Sequence, residues 1–317
     1  MNKIAVLDLN TLTKGDLDFS AIEALGTVKY FDSMPAEDIP GCCSGCEVLL
    51  VNKADINRQV IEKMPELKYV GVFATGYNNI DLNAARERNI DVVNVPGYST
   101  DSVAQLVWAF VLELATNIHK YDDSVQRGDW AASETFSYFP FPIMELSGKV
   151  MGIVGYGAIG RKVARIADVM GMKVKIYSRR KYEDCPFEQV DKEELFKTAD
   201  VLSLNCPLNK ESENMVCRET LALMKKTAFL INTARGGLVD PEALKDALNE
   251  GRIAGAGIDV LCHEPMAADE PLRNAKNCII TPHIAWASME ARLRLISKVA
   301  ENLKAWQEGR PQNVVNQ

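Results

Sequence analysis

From Lys3 onward, short runs rich in Val, Ile, Leu and aromatic residues alternate with amphipathic stretches, and no other feature of the 317 residues constrains the fold as much. A strand that leads into a helix and then into another strand pairs in parallel, because a parallel partner needs a crossover long enough to hold that helix. The pattern occurs twice. The first series predicts strands near 3–8, 27–31, 47–51, 69–73 and 91–94, with helices near 20–25, 57–63 and 81–88, a flavodoxin-like unit. The second predicts strands near 149–154, 173–177, 200–204, 227–231, 254–258 and 278–281, six in all, as a Rossmann sheet requires. The expected fold class is therefore α/β, with two doubly wound parallel-sheet domains.

Two helical patterns connect the series. Ser102 and Gln105 have capping-box spacing, and Val103, Leu106, Val107, Phe110, Val111, Leu114, Ile118 and Tyr121 recur every three or four residues, so one long helix is predicted to leave the first domain. His119 would lie late in it, on its surface. Leu293, Ile296, Val299, Leu303 and Trp306 predict a terminal helix that packs back on the first domain. The expected division is residues 1–100 and 286–317 as a substrate-binding domain, with residues 101–285 inserted as the coenzyme domain. A length near two times ~150 residues agrees.

Composition removes several classes of function. With 47% apolar and 25% charged residues the chain has no apolar run of membrane-spanning length, so no membrane partner is expected. A net charge of -7 gives no global attraction for phosphate backbones, and nucleic acid is not expected either. Met1 to Asp8 pass straight into an apolar strand pattern without the pattern of a secretory leader, so the protein is expected in the cytoplasm. There the eight cysteines are expected to stay reduced. Cys42, Cys43 and Cys46 include a CxxC in a glycine-flanked loop, but no second pair or His ligands stand at zinc spacing, and no metal is assigned.

Val150-Met151-Gly152-Ile153-Val154 reads as a buried strand, and Gly155-Tyr156-Gly157-Ala158-Ile159-Gly160 follows it and opens a periodic helix. In that context Gly155 permits the tight turn, Gly157 lets backbone approach a pyrophosphate, and Gly160 lets helix and strand pack closely. The first amides of the helix, about Ala158 and Ile159, face the anion. A dinucleotide coenzyme is expected. The acidic residue that normally takes the ribose hydroxyls about 20 residues on is replaced by Ser178-Arg179-Arg180. Guanidinium groups favour a 2′-phosphate, so the coenzyme is expected to be NAD(P)H with NADPH favoured. Cys206 and Pro207, just after the strand near 200–204, join the coenzyme-binding candidates.

Three polar residues follow strands of the second sheet: Arg235, Glu264 and His283. Open α/β sheets place their ligands on that edge. A guanidinium can grip a keto acid in a fork. A carboxylate beside an imidazole orients it and keeps a proton available for an oxygen that gains charge during reduction. His263, adjacent to Glu264, is the runner-up base.

The segments Gly155–Gly160, Asn232-Thr233-Ala234-Arg235-Gly236-Gly237, Gly257-Ile258-Asp259-Val260 with Glu264-Pro265, and Thr281-Pro282-His283-Ile284-Ala285 occur in the order seen in the D-isomer-specific 2-hydroxyacid dehydrogenases. The chain resembles that family over nearly its whole length. The resemblance implies that Arg235 binds substrate, that Glu264 and His283 form the acid/base dyad, and that Asp259, Thr233 and Ala234 lie against the nicotinamide. It also implies a homodimer and a small 2-keto acid substrate, with hydroxypyruvate or glyoxylate reduced to D-glycerate or glycolate. Ala74-Thr75-Gly76-Tyr77-Asn78-Asn79 resembles the loop whose amides receive the substrate carboxylate, so Thr75 and Gly76 are candidates, together with Trp286. Lys53 adds positive charge nearby in sequence terms or is a solvated loop residue. Catalysis is expected in the cleft between the domains. The alternative is a nucleotide-sensing, corepressor-like binding module on the same fold. Formate dehydrogenases pair their His with Gln, where this chain has Glu264.

Overall fold

The computed structural model describes residues 2–317. The chain divides into two compact units, Met1–Ser99 with Ala287–Gln317, and Thr100–Trp286. In the first, strands β1 (Asn2–Val6), β2 (Gly26–Tyr30), β3 (Val48–Val51), β4 (Tyr69–Val72) and β5 (Asp91–Val93) are all parallel, in the order β2-β1-β3-β4-β5. This is the flavodoxin-like order. Every residue of β3 and β4 is buried, which is why both read as continuous apolar runs: helices cover both faces. Helices Arg58–Glu62 and Leu82–Glu87 start where Asn57 and Asp81 accept the amides of Val60 and Ala84.

The helix Met289–Gln307 belongs to this unit and buries Leu295, Ile296, Val299 and Leu303. Beyond it the tail runs along β5. Val314 bridges Val93 in antiparallel sense, and the Asn316 side chain accepts from the Val92 amide and donates to the Ile90 carbonyl. Asn302, buried in the helix, donates to the Asn94 carbonyl.

The second unit holds β6 (Val150–Val154), β7 (Lys173–Tyr177), β8 (Glu188–Gln189), β9 (Val201–Leu204), β10 (Phe229–Asn232), β11 (Gly255–Ile258) and β12 (Cys278–Ile280) in one parallel sheet, ordered β12-β11-β10-β9-β6-β7-β8. The order reverses between β6 and β9, the switch point at which such sheets bind ligands. The sheet has seven strands where six are predicted, because the two-residue β8 has no apolar run to announce it. Pleating sends Val201, Phe229 and Ile231 to one core and Leu202, Leu204 and Leu230 to the other.

The single long helix is corrected to two. Thr100–Thr116 ends at Asn117, whose left-handed backbone (φ 51, ψ 39) stops it, and Ile118–Gln126 follows. Asn adopts that conformation at little cost, and here its side chain also donates to the Pro142 carbonyl. The capping box is not formed, because the helix already begins at Thr100 and the Ser102 hydroxyl donates instead to the Ala285 carbonyl at 2.6 Å. His119 lies in the second helix, exposed and paired with Glu113. Gly257 lets the first helix settle on β11, since a Cβ there would stand 2.5 Å from the Phe110 ring.

The cysteine cluster lies mostly in a turn, as expected, with only Cys42 in a helix. Cys42 closes the helix Ile39–Cys42, and Cys43 and Cys46 are buried in the first unit's core, where burial pushes the Cys43 thiol up to about 12. All eight cysteines are free thiols. Among the described residues no group of side chains is arranged to hold a metal, and no helix is long and apolar enough to cross a membrane.

Candidate active site

The coenzyme candidates line the switch point of the seven-stranded sheet. Gly155 takes φ +89, and a Cβ there would lie 2.8 Å from the backbone of Asn205 and Cys206 after β9. Gly160 is tighter still, for its Cβ would lie 2.1 Å from the Gly155 carbonyl oxygen. By contrast nothing stands within 4 Å of a Cβ at Gly157, which begins the helix Ala158–Val169 with no side chain capping its amides. A tight turn, an open approach and uncapped helix amides are what a pyrophosphate needs, so the residues fit a dinucleotide. The adjoining cavity, of about 340 Å³, is lined by Gly155, Gly157, Ser178, Arg179, Cys206 and Pro207, among others. Asn205 also lines it, with a buried side-chain oxygen that has no hydrogen-bond partner among the described residues.

The basic turn after β7 is held from behind. Gln189 of β8 donates to the carbonyls of Ser178 and Arg180 and accepts from the Tyr182 amide, so the strand missing from the sequence reading shapes this wall. Arg179 does not project alone, for its guanidinium meets Glu211 at 2.7 Å. Spacing gave no signal for Glu211 or for Gln189.

After β10, the buried Asn232 accepts from the Ala234 amide and donates to the Arg235 carbonyl, shaping the turn that presents Thr233, Ala234 and Arg235. The Arg235 side chain is exposed and touches the Ala234 carbonyl. Glu264 and His283, nineteen residues apart, meet through Oε2 and Nδ1 at 2.6 Å. The other Glu264 oxygen accepts from the Leu261 amide, which fixes the carboxylate. His263 is exposed beside it.

What holds His283 is Asp259, at 1% exposure. Its carboxylate accepts from the Thr281 hydroxyl at 2.6 Å, the Ile284 amide at 2.8 Å and the Ala285 amide at 2.9 Å, while its carbonyl accepts from the His283 amide. Three donors from one loop close on one buried anion, which compensates its desolvation and fixes the loop. His283 itself takes φ 54, a left-handed conformation uncommon outside glycine that His adopts more readily than most residues. Trp286 ends this unit, half-buried.

In the first unit the candidate residues follow β3 and β4. The Thr75 hydroxyl donates to the Val95 carbonyl and the Thr75 carbonyl accepts from Asn94, so only the backbone amides of Thr75 and Gly76 are left for a ligand. The neighbouring Asn52–Ala54 amides are taken by the chain itself: all three donate to the buried Asp8 carboxylate at 2.7–3.1 Å. Asn79 donates to the Ala54 carbonyl on the far side. Lys53, exposed, sits in the middle of this clamp.

The family model described as D-isomer specific 2-hydroxyacid dehydrogenase, NAD binding domain, matches residues 108–285, more than half the chain. A hydroxypyruvate reductase of Blautia hydrogenotrophica is 42% identical over 99% of both chains. The chain belongs to the D-isomer specific 2-hydroxyacid dehydrogenase family. Other relatives of this dehydrogenase include a glycerate dehydrogenase of Methylorubrum extorquens, 39% identical over 90% of this chain and 91% of the relative. An acyclic imino acid reductase, solved in complex with NADPH and D-Arg, superposes with a TM-score of 0.88 at 33% identity over 99% of both chains. The dehydrogenase is thus an oxidoreductase with a nicotinamide-binding Rossmann domain, and the corepressor-like alternative is not favoured.

Proposed function

We propose that this enzyme reduces hydroxypyruvate to D-glycerate, with glyoxylate as a second substrate, using NADPH in preference to NADH, in the cytoplasm and as a homodimer. The observation that carries the reaction is the Glu264–His283 contact at 2.6 Å on a loop clamped by Asp259. With Nδ1 committed to Glu264, His283 offers Nε2 as the atom that gives a proton to the substrate oxygen in reduction and removes it in oxidation. A nicotinamide coenzyme bound at the Gly155–Gly160 turn supplies the hydride. Arg235 serves as the residue that grips the keto acid. In the first unit, the amides of Thr75 and Gly76 are suited to a carboxylate. Thr233 and Ala234 line the nicotinamide end, and Trp286 borders the substrate.

Support for the substrate comes from the names of the relatives, a hydroxypyruvate reductase and a glycerate dehydrogenase. The preference for NADPH is supported by the Ser178-Arg179-Arg180 turn facing the coenzyme cavity and by the NADPH held in the imino acid reductase. Trp130, Phe136, Phe139 and Ile143, at 50%, 93%, 74% and 63% exposure on one stretch of the second unit, supply apolar surface for a second copy. Initial rates with hydroxypyruvate, glyoxylate and pyruvate, each with NADPH and NADH, test the reading. The highest kcat/KM is expected for hydroxypyruvate with NADPH, and a better pyruvate rate, or a better rate with NADH, would reject the corresponding part.

A further inference from the structure

On the lining of the cavity beside the Gly155 turn, Arg179 and Glu211 form an ion pair at 2.7 Å, with side chains 64% and 71% exposed. Among the described residues lining the cavity, Arg179, Arg180 and Lys192 are basic and Glu211 is the one carboxylate. Its position is not left to a loose loop. Asn209 Oδ1 accepts the amides of Glu211 and Ser212, the Ser212 hydroxyl donates to the Pro207 carbonyl, and the Asn209 amide returns a bond to that hydroxyl. The segment that carries Pro207 therefore carries Glu211 at a set place on the cavity wall.

We infer that Glu211 sets coenzyme selectivity in this enzyme by competing with the 2′-phosphate of NADPH for Arg179. The inference rests on the reading that the Ser178-Arg179-Arg180 turn receives that phosphate. A dianionic phosphate entering beside Arg179 must share or displace the carboxylate, and the two anions repel. A free ribose hydroxyl meets no such conflict, and a carboxylate can accept a hydrogen bond from it. Glu211 thus narrows the advantage of NADPH over NADH that the basic turn creates, in a sequence that lacks the usual acidic residue at the end of β7.

The test is fluorescence titration of the intact enzyme with NADPH and NADH, with no substrate present, for wild type, Glu211→Gln and Arg179→Gln. Exposed pairs are screened, so Glu211→Gln should tighten NADPH by about three- to tenfold while moving NADH affinity far less, and the gain should shrink in high salt. Arg179→Gln should weaken NADPH by about tenfold or more with a small effect on NADH. An unchanged NADPH-to-NADH affinity ratio in Glu211→Gln, or weaker NADPH binding because the carboxylate was needed to orient Arg179, overturns the inference. If Arg179→Gln leaves the ratio unchanged, it is the reading of the basic turn that fails. Competition for Arg179 fails with it, even if Glu211→Gln gains NADPH affinity, because repulsion without Arg179 is not the mechanism inferred.

Discussion

Replacing Asp259 by Asn changes one atom of a buried side chain and keeps its shape, yet it should disable the His283 loop. Oδ1 can still accept from the Thr281 hydroxyl and the Ile284 amide. The new amide nitrogen then stands where Oδ2 now accepts the Ala285 N–H at 2.9 Å, so a donor faces a donor. Ala285 is 4% exposed, and water cannot easily replace the lost acceptor. An unsatisfied buried donor costs about 1–3 kcal/mol, and loss of charge removes roughly half the strength of the two remaining bonds. A total of about 2–4 kcal/mol follows, falling on residues 281–285 while the strands that flank them keep their ladders. Since His283 holds a left-handed backbone in this loop, the loop should open locally before the unit unfolds. The expected result is a fall in kcat of about thirtyfold to several hundredfold, with a modest drop in Tm. Stopped-flow reduction of hydroxypyruvate under single-turnover conditions, with coenzyme affinity measured separately, reads this directly. A variant with normal single-turnover rate and weakened coenzyme binding would refute the reasoning, since it would mean that Asp259 serves the nicotinamide and not the loop.

His283→Ala should lower turnover by about a hundred- to ten-thousandfold and leave coenzyme affinity nearly intact, and a near-normal rate would remove His283 from proton transfer. Arg235→Lys should raise KM for the keto acid and slow turnover, because an ammonium cannot reproduce the planar fork; kinetics equal to wild type would make Arg235 structural. Gly160→Ala should abolish coenzyme binding or folding of the second unit, given the 2.1 Å approach to the Gly155 carbonyl, and a variant that titrates normally with NADPH contradicts that packing. The Cys43 thiol, raised by burial, favours its neutral form in the folded state, so its stabilising contribution is intact below the ordinary thiol range near 9.0 and is lost as pH climbs toward about 12. Ellman's reagent at neutral pH should accordingly modify exposed Cys42 first and Cys43 only on unfolding; equal rates would contradict the burial.

The parts of this molecule that the sequence made legible are those written in local pattern. Val48 to Val51 and Tyr69 to Val72 announce central strands because both of their faces are covered, and Gly155 and Gly160 announce a tight strand-to-helix turn because backbone approaches backbone there. Glu264 and His283 stand after strands of one sheet, and the sheet brings them to 2.6 Å. What stayed hidden depends on partners distant in the chain or on single residues. Nothing around Asn117 except its own tolerance of positive φ marks the break between two helices that share one apolar period. Two residues, Glu188 and Gln189, are too few to show an alternation, though they complete the sheet. The Asp8 clamp joins positions 44 to 46 residues apart, and the Arg179–Glu211 pair joins two loops whose spacing carries no periodicity.

The tail that runs along β5 has a consequence for the order in which the protein can be made. Residues 2–99 emerge from the ribosome before residues 287–317, so their sheet lacks its covering helix and the Asn302, Val314 and Asn316 contacts until those later residues have been synthesised. The whole of Thr100–Trp286 is available to fold in the interval. During translation the nascent segment 2–99 must therefore wait with an unguarded β5 edge, Val92 and Val93 included, while the later-born domain matures. Chaperone demand in the cell should concentrate in that window, and synthesis of residues 287–317 is the event that ends it.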